Sequence, residues 1–185
     1  KLETQFQLLA AFPDCQVCVS DSCFINDDSL TQTNFQIRGF DALLDGSGVL
    51  PDTYRHLAKN PNGIFMQSLV AHRECVASVF PLQSDLRVAQ DIDLIFRLSL
   101  TSDFCFSTEA LVEIDRTPSR NTGLTKQHDM NSLFRLQTKE RILKGWLAIS
   151  SEKVDRVRGP LQRQLSQLQS RIARAHKSRK ERSEA

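Results

Sequence analysis

The chain has 185 residues, 40% hydrophobic and 25% charged, which fits a globular domain with an appendage rather than a disordered tail. The formal charge of +2 is unevenly spread: residues 1–60 lean acidic, while Lys153, Arg156, Arg158, Arg163, Arg171, Arg174, Lys177, Arg179, Lys180 and Arg182 crowd the end. No apolar run approaches the ~18 residues that a transmembrane helix needs, so such a span is excluded.

Residues 1–11 read as a helix with Leu2, Phe6, Leu9 and Ala10 on one stripe, stopped by Pro13-Asp14. Residues 16–20 read as a short strand, Asn26–Ser29 as a turn, and Phe35–Ile37 as a second strand. Residues 40–45 suggest a short helix ended by Gly46. Gly46-Ser47-Gly48 and Asn60-Pro61-Asn62-Gly63 are turns, since neither has the strand-before, helix-after setting of a phosphate loop. Residues 64–72 are the best strand candidate, followed by a short helix over 73–79. A helix over 88–100 and strands near 103–107 and 110–115 complete an α/β pattern with a mixed sheet.

Residues 117–124 are rich in turn formers and read as a loop. From about Asp129 the pattern is helical, with Leu133, Leu136, Ile142, Leu143, Trp146, Leu147 and Ile149 as an apolar stripe. Gly159-Pro160 should break or kink the run. Beyond it Leu161, Leu165, Leu168 and Ile172 keep heptad-like spacing, and the last residues should fray. The organisation expected is therefore 1–125 as the α/β part and 126–185 as a helical extension with a basic tail.

Five cysteines, an odd number scattered through strand-like segments, read as reduced, buried thiols of a cytosolic protein. Cys15-x-x-Cys18 with Cys23 invites a zinc interpretation, but no fourth Cys or His lies close by and no glycine knuckle follows. For the basic tail the simplest interpretation is a solvated helix face. Peripheral contact with an anionic membrane ranks second. Nucleic acid ranks last, because no aromatic side chain is available to stack on bases and acids are interleaved.

The most informative stretch is Val88–Leu98. Asp91 and Asp93 open a helix whose other face carries Ile92, Leu94, Ile95 and Leu98, and Arg97 lies at i+4 from Asp93, where the two can pair. The helix dipole favours an ionised carboxylate in the first turn, as a general base requires. First-turn acids are also common without any such role.

The order of words around this helix resembles the C-terminal half of family 2 glycosyltransferases of the GT-A fold. Leu69, Val70, His72, Arg73 and Glu74 stand for that family's Leu-Val-Arg-Arg-Glu strand. Gln90, Asp91, Asp93, Leu94, Arg97 and Leu98 stand for Glu-Asp-x-Asp-Leu-x-x-Arg-Leu. Leu111, Val112 and Arg116 stand for Leu-Val-x-Tyr-Arg. The likeness covers roughly residues 1 to 120. It departs at Val79-Phe80-Pro81-Leu82, where Gly-Phe-Asp-Glu is degraded, at Gln90, which replaces the Glu, and at Pro118, which replaces a His. The family's nucleotide-binding half and Asp-x-Asp loop are not in the sequence, so the chain is expected to be the back half of a longer enzyme or the product of a truncated gene.

The resemblance implies a partial GT-A α/β fold and an inverting sugar transfer from a nucleotide-diphospho-sugar to an acceptor hydroxyl, in cell-surface polysaccharide or glycan synthesis. It implies Asp91 as the base. His72, Arg73, Asp93, Arg116 and Arg120 are implied as residues near donor or acceptor, with Asp93 and Arg97 mainly fixing the helix. It implies Mn or Mg for the intact enzyme, held mostly outside these residues, so the fragment alone is expected to be inactive. The partners expected are a nucleotide-sugar donor and a glycan or lipid-linked acceptor, with no nucleic acid. The location expected is the cytoplasm, at the inner face of the membrane where the basic tail engages it. The competing expectation is a catalytically inactive interaction module derived from such an enzyme.

Overall fold

A computed structural model of the chain describes residues 1–40, 45–83, 86–117 and 132–183. These fall into two compact units: residues 1–83 with 90–117, and residues 86–89 with 132–183. The expected boundary at 125 lies outside the described residues, but residues 86–89, expected in the first domain, group with the C-terminal helices.

The first unit is α/β. Its elements are α1 (Leu2–Ala11), β1 (Val17–Ile25), α2 (Asn34–Arg38), β2 (Ser47–Leu50), α3 (Thr53–Lys59), a 3-10 turn (Met66–Ser68), β3 (Leu69–Ala71), α4 (Arg73–Ser78), α5 (Gln90–Thr101) and β4 (Phe104–Asp115). The four strands form one mixed sheet in the order β2-β4-β1-β3. β1 and β4 are parallel, and β3 and β2 add antiparallel strands on either side. Side chains alternate across the pleat. Cys18 and Cys105, paired in register, meet Leu9 and Cys15 under α1, while Val17, Val19, Phe104 and Phe106 are buried on the opposite face. Each such side chain contributes roughly 1.5–3 kcal/mol by leaving water.

Several expectations change. In α1 the buried stripe is Gln5 and Leu9, whereas Leu2 and Phe6 are exposed. Gln5 is drawn in because its Nε2 donates to Ser68 O at 2.8 Å, tying α1 to the chain entering β3. Phe35–Ile37 is not a strand but the body of α2. Thr33 and Gln36 form a reciprocal capping box, and Gly39 ends the helix at φ +70°. Two apolar residues at i and i+2 cannot distinguish period 2 from period 3.6, and here the caps decide.

The expected strands at 103–107 and 110–115 are one strand, β4. Its register against β1 shifts between Ser20 and Ser22, a bulge at the point where the sequence pattern breaks. Ser47 and Gly48 belong to β2 rather than to a turn. The expected strand over 64–72 shrinks to β3, because Met66–Ser68 coils into a 3-10 turn. α3 has no counterpart in the sequence interpretation. The expected helix at 40–45 and the loop at 117–124 lie almost wholly outside the described residues.

The second unit contains α6 (Leu133–Ala148) and α7 (Glu152–Ser183), joined by three residues and packed on each other. Leu136, Ile142, Leu143 and Trp146 of α6 are buried, as are Val154, Val157, Leu161 and Leu168 of α7. α7 runs through Gly159-Pro160 and continues to Ser183, so the helix is not broken there; residues 184–185 of the end expected to fray lie outside the described residues. Pro160 is tolerated because the rest of its ladder and the buried stripe on both sides hold the helix.

Candidate functional site

α5 begins directly after Ala89, which lies in the left-handed region at φ +63°. For a residue with a Cβ this costs on the order of 1 kcal/mol, and the turn it makes starts the helix abruptly at Gln90. Asp91 and Asp93 are two residues apart, about 200° around the helix, and therefore have different surroundings. Asp93 is fully buried and accepts from Arg97 Nε at 2.9 Å, the expected i,i+4 pair. Asp91 is exposed in the first turn, where the dipole favours its charge. Ile95, Phe96 and Leu98 fasten the helix, so Asp91 projects from a rigid support. The buried stripe includes Phe96, while Ile92 and Leu94 of the expected face are only half-buried.

His72 and Arg73 do not gather around Asp91. His72 and Arg73 are exposed at the start of α4, where His72 N–H donates to Gln16 O at 2.9 Å. Gln16 N–H in turn donates to Ser102 Oγ at 2.9 Å, and Cys75 Sγ lies 3.2 Å from Thr101 Oγ1. This corner therefore sits at the C-terminal end of α5. Asp91 is ten residues earlier, about 15 Å along the axis. Arg116 lies at the opposite end of the parallel pair, its N–H donating to Ile25 O at 2.9 Å. Arg120 lies outside the described residues.

The structure adds Phe24, Phe65 and Asp21, which the sequence did not single out, and sets the first two against the expected Arg116. The Arg116 guanidinium lies 5.2 Å from the centre of the Phe24 ring, and Phe24 meets Phe65 edge-on at 6.1 Å. All three are half-buried at the carboxyl end of the one parallel pair, β1 and β4; in open α/β sheets ligands characteristically bind at the carboxyl ends of parallel strands. Phe24 and Phe65 are far apart in sequence and carry no spacing signal. Asp21 is a buried carboxylate in mid-strand, accepting from Ser22 N–H at 2.7 Å and from Phe35 N–H at 2.9 Å. It anchors the start of α2 to β1. An Asp inside the apolar run VCVSDSC was the available clue.

All five cysteines are free thiols; Cys15, Cys18, Cys75 and Cys105 are buried and Cys23 is half-buried. Burial, reinforced by the neighbouring Cys105, Asp103 and Asp14, pushes the Cys15 thiol up to about 11. The hydrogen bond with Cys18, and then burial, raise Cys105 further. Cys15 and Cys105 are thus held protonated as packing groups, while the same hydrogen bond with Cys105 lowers Cys18 against its burial. Among the described residues no group of three or more His, Cys, Asp or Glu side chains is placed to hold a metal ion. No described helix is long and apolar enough to cross a membrane.

No family model matches the chain, and neither a curated protein nor a solved structure does.

Proposed function

We propose that the chain is part of an inverting glycosyltransferase of the family 2, GT-A type, with Asp91 as its base. The observation that carries this is the division of labour within α5. Asp93 is locked internally by Arg97, leaving Asp91 exposed in the first turn. The order of elements adds support: β3, then α4 opening on Arg73-Glu74, then the acid helix, then β4 carrying Leu111, Val112 and, just beyond its end, Arg116.

In this mechanism Asp91 accepts the proton of an acceptor hydroxyl while that oxygen attacks the anomeric carbon. The new C–O bond forms as the bond to the diphosphate breaks, and the nucleoside diphosphate leaves with the electron pair. The transition state is oxocarbenium-like, as in other glycosyl chemistry. Arg116, braced on Phe24, offers a guanidinium fork suited to phosphate oxygens. His72 and Arg73, at the far end of α5, take no part in this step. The divalent ion implied by the resemblance finds no ligand set among the described residues.

The second reading is an inactive interaction module, favoured by Gln90 and by the separation of His72 and Arg73 from Asp91. Label transfer from a panel of nucleotide sugars by the intact enzyme separates the two. Asp91→Asn should lower turnover by ~10²–10⁴ with an unchanged urea midpoint, since Asp91 is exposed. Near wild-type transfer by this variant would remove Asp91 from the mechanism, and no transfer by the parent would favour the module.

A further inference from the structure

Side chains alternate along β1, so Cys18, Ser20, Ser22 and Phe24 share one face, the face on which Leu9 of α1 meets Cys18. The register shifts against β4 take up extra residues in β4, not in β1, so the alternation holds as far as Phe24. The 3-10 turn crosses this same face. At one end Gln5 Nε2 donates to Ser68 O at 2.8 Å and to Cys18 O at 3.4 Å. At the other end Phe65 meets Phe24 edge-on, and Ser68 Oγ ties the two ends together by donating to Phe65 O at 2.8 Å. Between these ends lie Ser20 and Ser22, 0% and 1% exposed. Gln5 Oε1, Ser20 Oγ, Ser22 Oγ and, over the Phe24 ring, Arg116 Nε are all buried. Among the described residues none of the four has a hydrogen-bond partner. Buried polar atoms are costly when left bare, and these four follow one another along a single strand face.

We propose that these four atoms line a buried hydration site, a single file of water molecules running along β1 from Gln5 to Arg116. This is independent of the glycosyl-transfer proposal. The hydrogen-bonding capacity of the row runs one way. Arg116 Nε–H only donates and Gln5 Oε1 only accepts, while each serine hydroxyl does both. Waters between successive groups complete one head-to-tail chain, in which each hydrogen bond polarises the next. The spacing of the serines suits one water between them. Side chains on one face of a strand stand about 6.5 Å apart, and a bridging water spans about 5.5 Å between its two neighbours. Ser20 and Ser22 are closed to solvent, so the site takes a molecule the size of water with several polar partners rather than a larger ligand. The last water of the file holds the Nε edge of the Arg116 guanidinium over Phe24.

Magnetic relaxation dispersion of water oxygen, which counts waters held for longer than nanoseconds, tests this on the full chain. The wild-type chain should hold such waters, and Ser20→Ala and Ser22→Ala should each lose at least one. Ser20→Ala should also lower the urea midpoint by about 0.5 M, because it cuts the file in its middle. A dry interior predicts the opposite sign, since deleting a bare buried hydroxyl then raises the midpoint. An unchanged number of long-lived waters in both variants, or a raised midpoint in Ser20→Ala, would each overturn the proposal. A wild-type chain without any long-lived water would do so too, and that arm needs no variant to fold.

Discussion

The α/β unit and the helical hairpin bury their interiors in different ways. The α/β unit threads polar groups through its core: Gln5, Ser20, Asp21, Ser22, Asn34, Ser68 and Asp93 are all buried. Buried side-chain atoms without a hydrogen-bond partner among the described residues, such as Gln5 Oε1, Ser20 Oγ, Ser22 Oγ and Asn34 Oδ1, also belong to this unit. The hairpin buries a mainly aliphatic stripe around Trp146, and its buried Thr138 hydroxyl is satisfied locally by Phe134 O at 2.9 Å. A polar interior depends on particular partners and is costly when one is lost. An aliphatic stripe depends chiefly on spacing and volume. The unit that carries the candidate chemistry is thus the one built from specific contacts, while the hairpin is built from a repeat.

The sharpest way to break this comparison is to empty each core in turn. Trp146→Ala should cost about 3–5 kcal/mol, because the side chain is fully buried. Hydrogen-exchange protection should then fall across α6 and α7 while β1 and β4 keep theirs. Equal loss in both units would show that they unfold as one body. Asp93→Asn is the matching test of the α/β unit. It leaves Arg97 with its charge largely unanswered in a mostly buried position, at a cost of about 3 kcal/mol, read as a lower urea midpoint. A variant within a few tenths of a kcal/mol of wild type would show that shape, not the ion pair, holds α5.

The same contrast explains what could be read in advance. Helical contacts are local, so the stripe through Leu136, Leu143 and Trp146 and the Asp93–Arg97 pair follow from spacing alone. Strand partners are not local. Nothing in residues 103–115 announces that a bulge joins two apparent strands into β4. Nothing near Gln5 announces that its amide will bond Ser68, 63 residues away. The Thr33–Gln36 capping box was present in the sequence, but the alternation Phe35-Gln36-Ile37 obscured it by reading as a strand. At the site, Asp91 was visible as a first-turn acid, whereas the Phe24–Phe65–Arg116 group depends on three segments that only the sheet brings together.

A smaller effect tests the caps. Thr33→Ala removes the hydroxyl that accepts from Gln36 N–H and disrupts the reciprocal box, for a loss of about 1 kcal/mol in the urea midpoint. Thr33→Ser should restore most of it. If Thr33→Ala changes nothing, α2 is held by Asp21 accepting from Phe35 N–H, and the tertiary contact outweighs the local one.

The smallest expected effect is a pH response confined to the α/β unit. Burial, and then the charge of Lys59, lower the affinity of His56 for its proton below the ordinary value of 6.5, against a weaker opposing pull from Asp52. The sign follows from proton uptake. Below about pH 6.5 the unfolded chain protonates His56 while the folded chain resists, so stability falls with pH until the folded group also titrates. Above that range the contribution of His56 to stability is fully present. Its ring stands 6.1 Å from Phe40, so protonation places a charge at the edge of the packed aromatic pair Phe35–Phe40. The stability lost between about pH 7 and about pH 5 should therefore shrink in His56→Gln. An NMR titration of the wild-type ring should show a midpoint below 6.5. A midpoint above that value would mean that Asp52 governs the site, and stability should then rise as His56 takes up its proton.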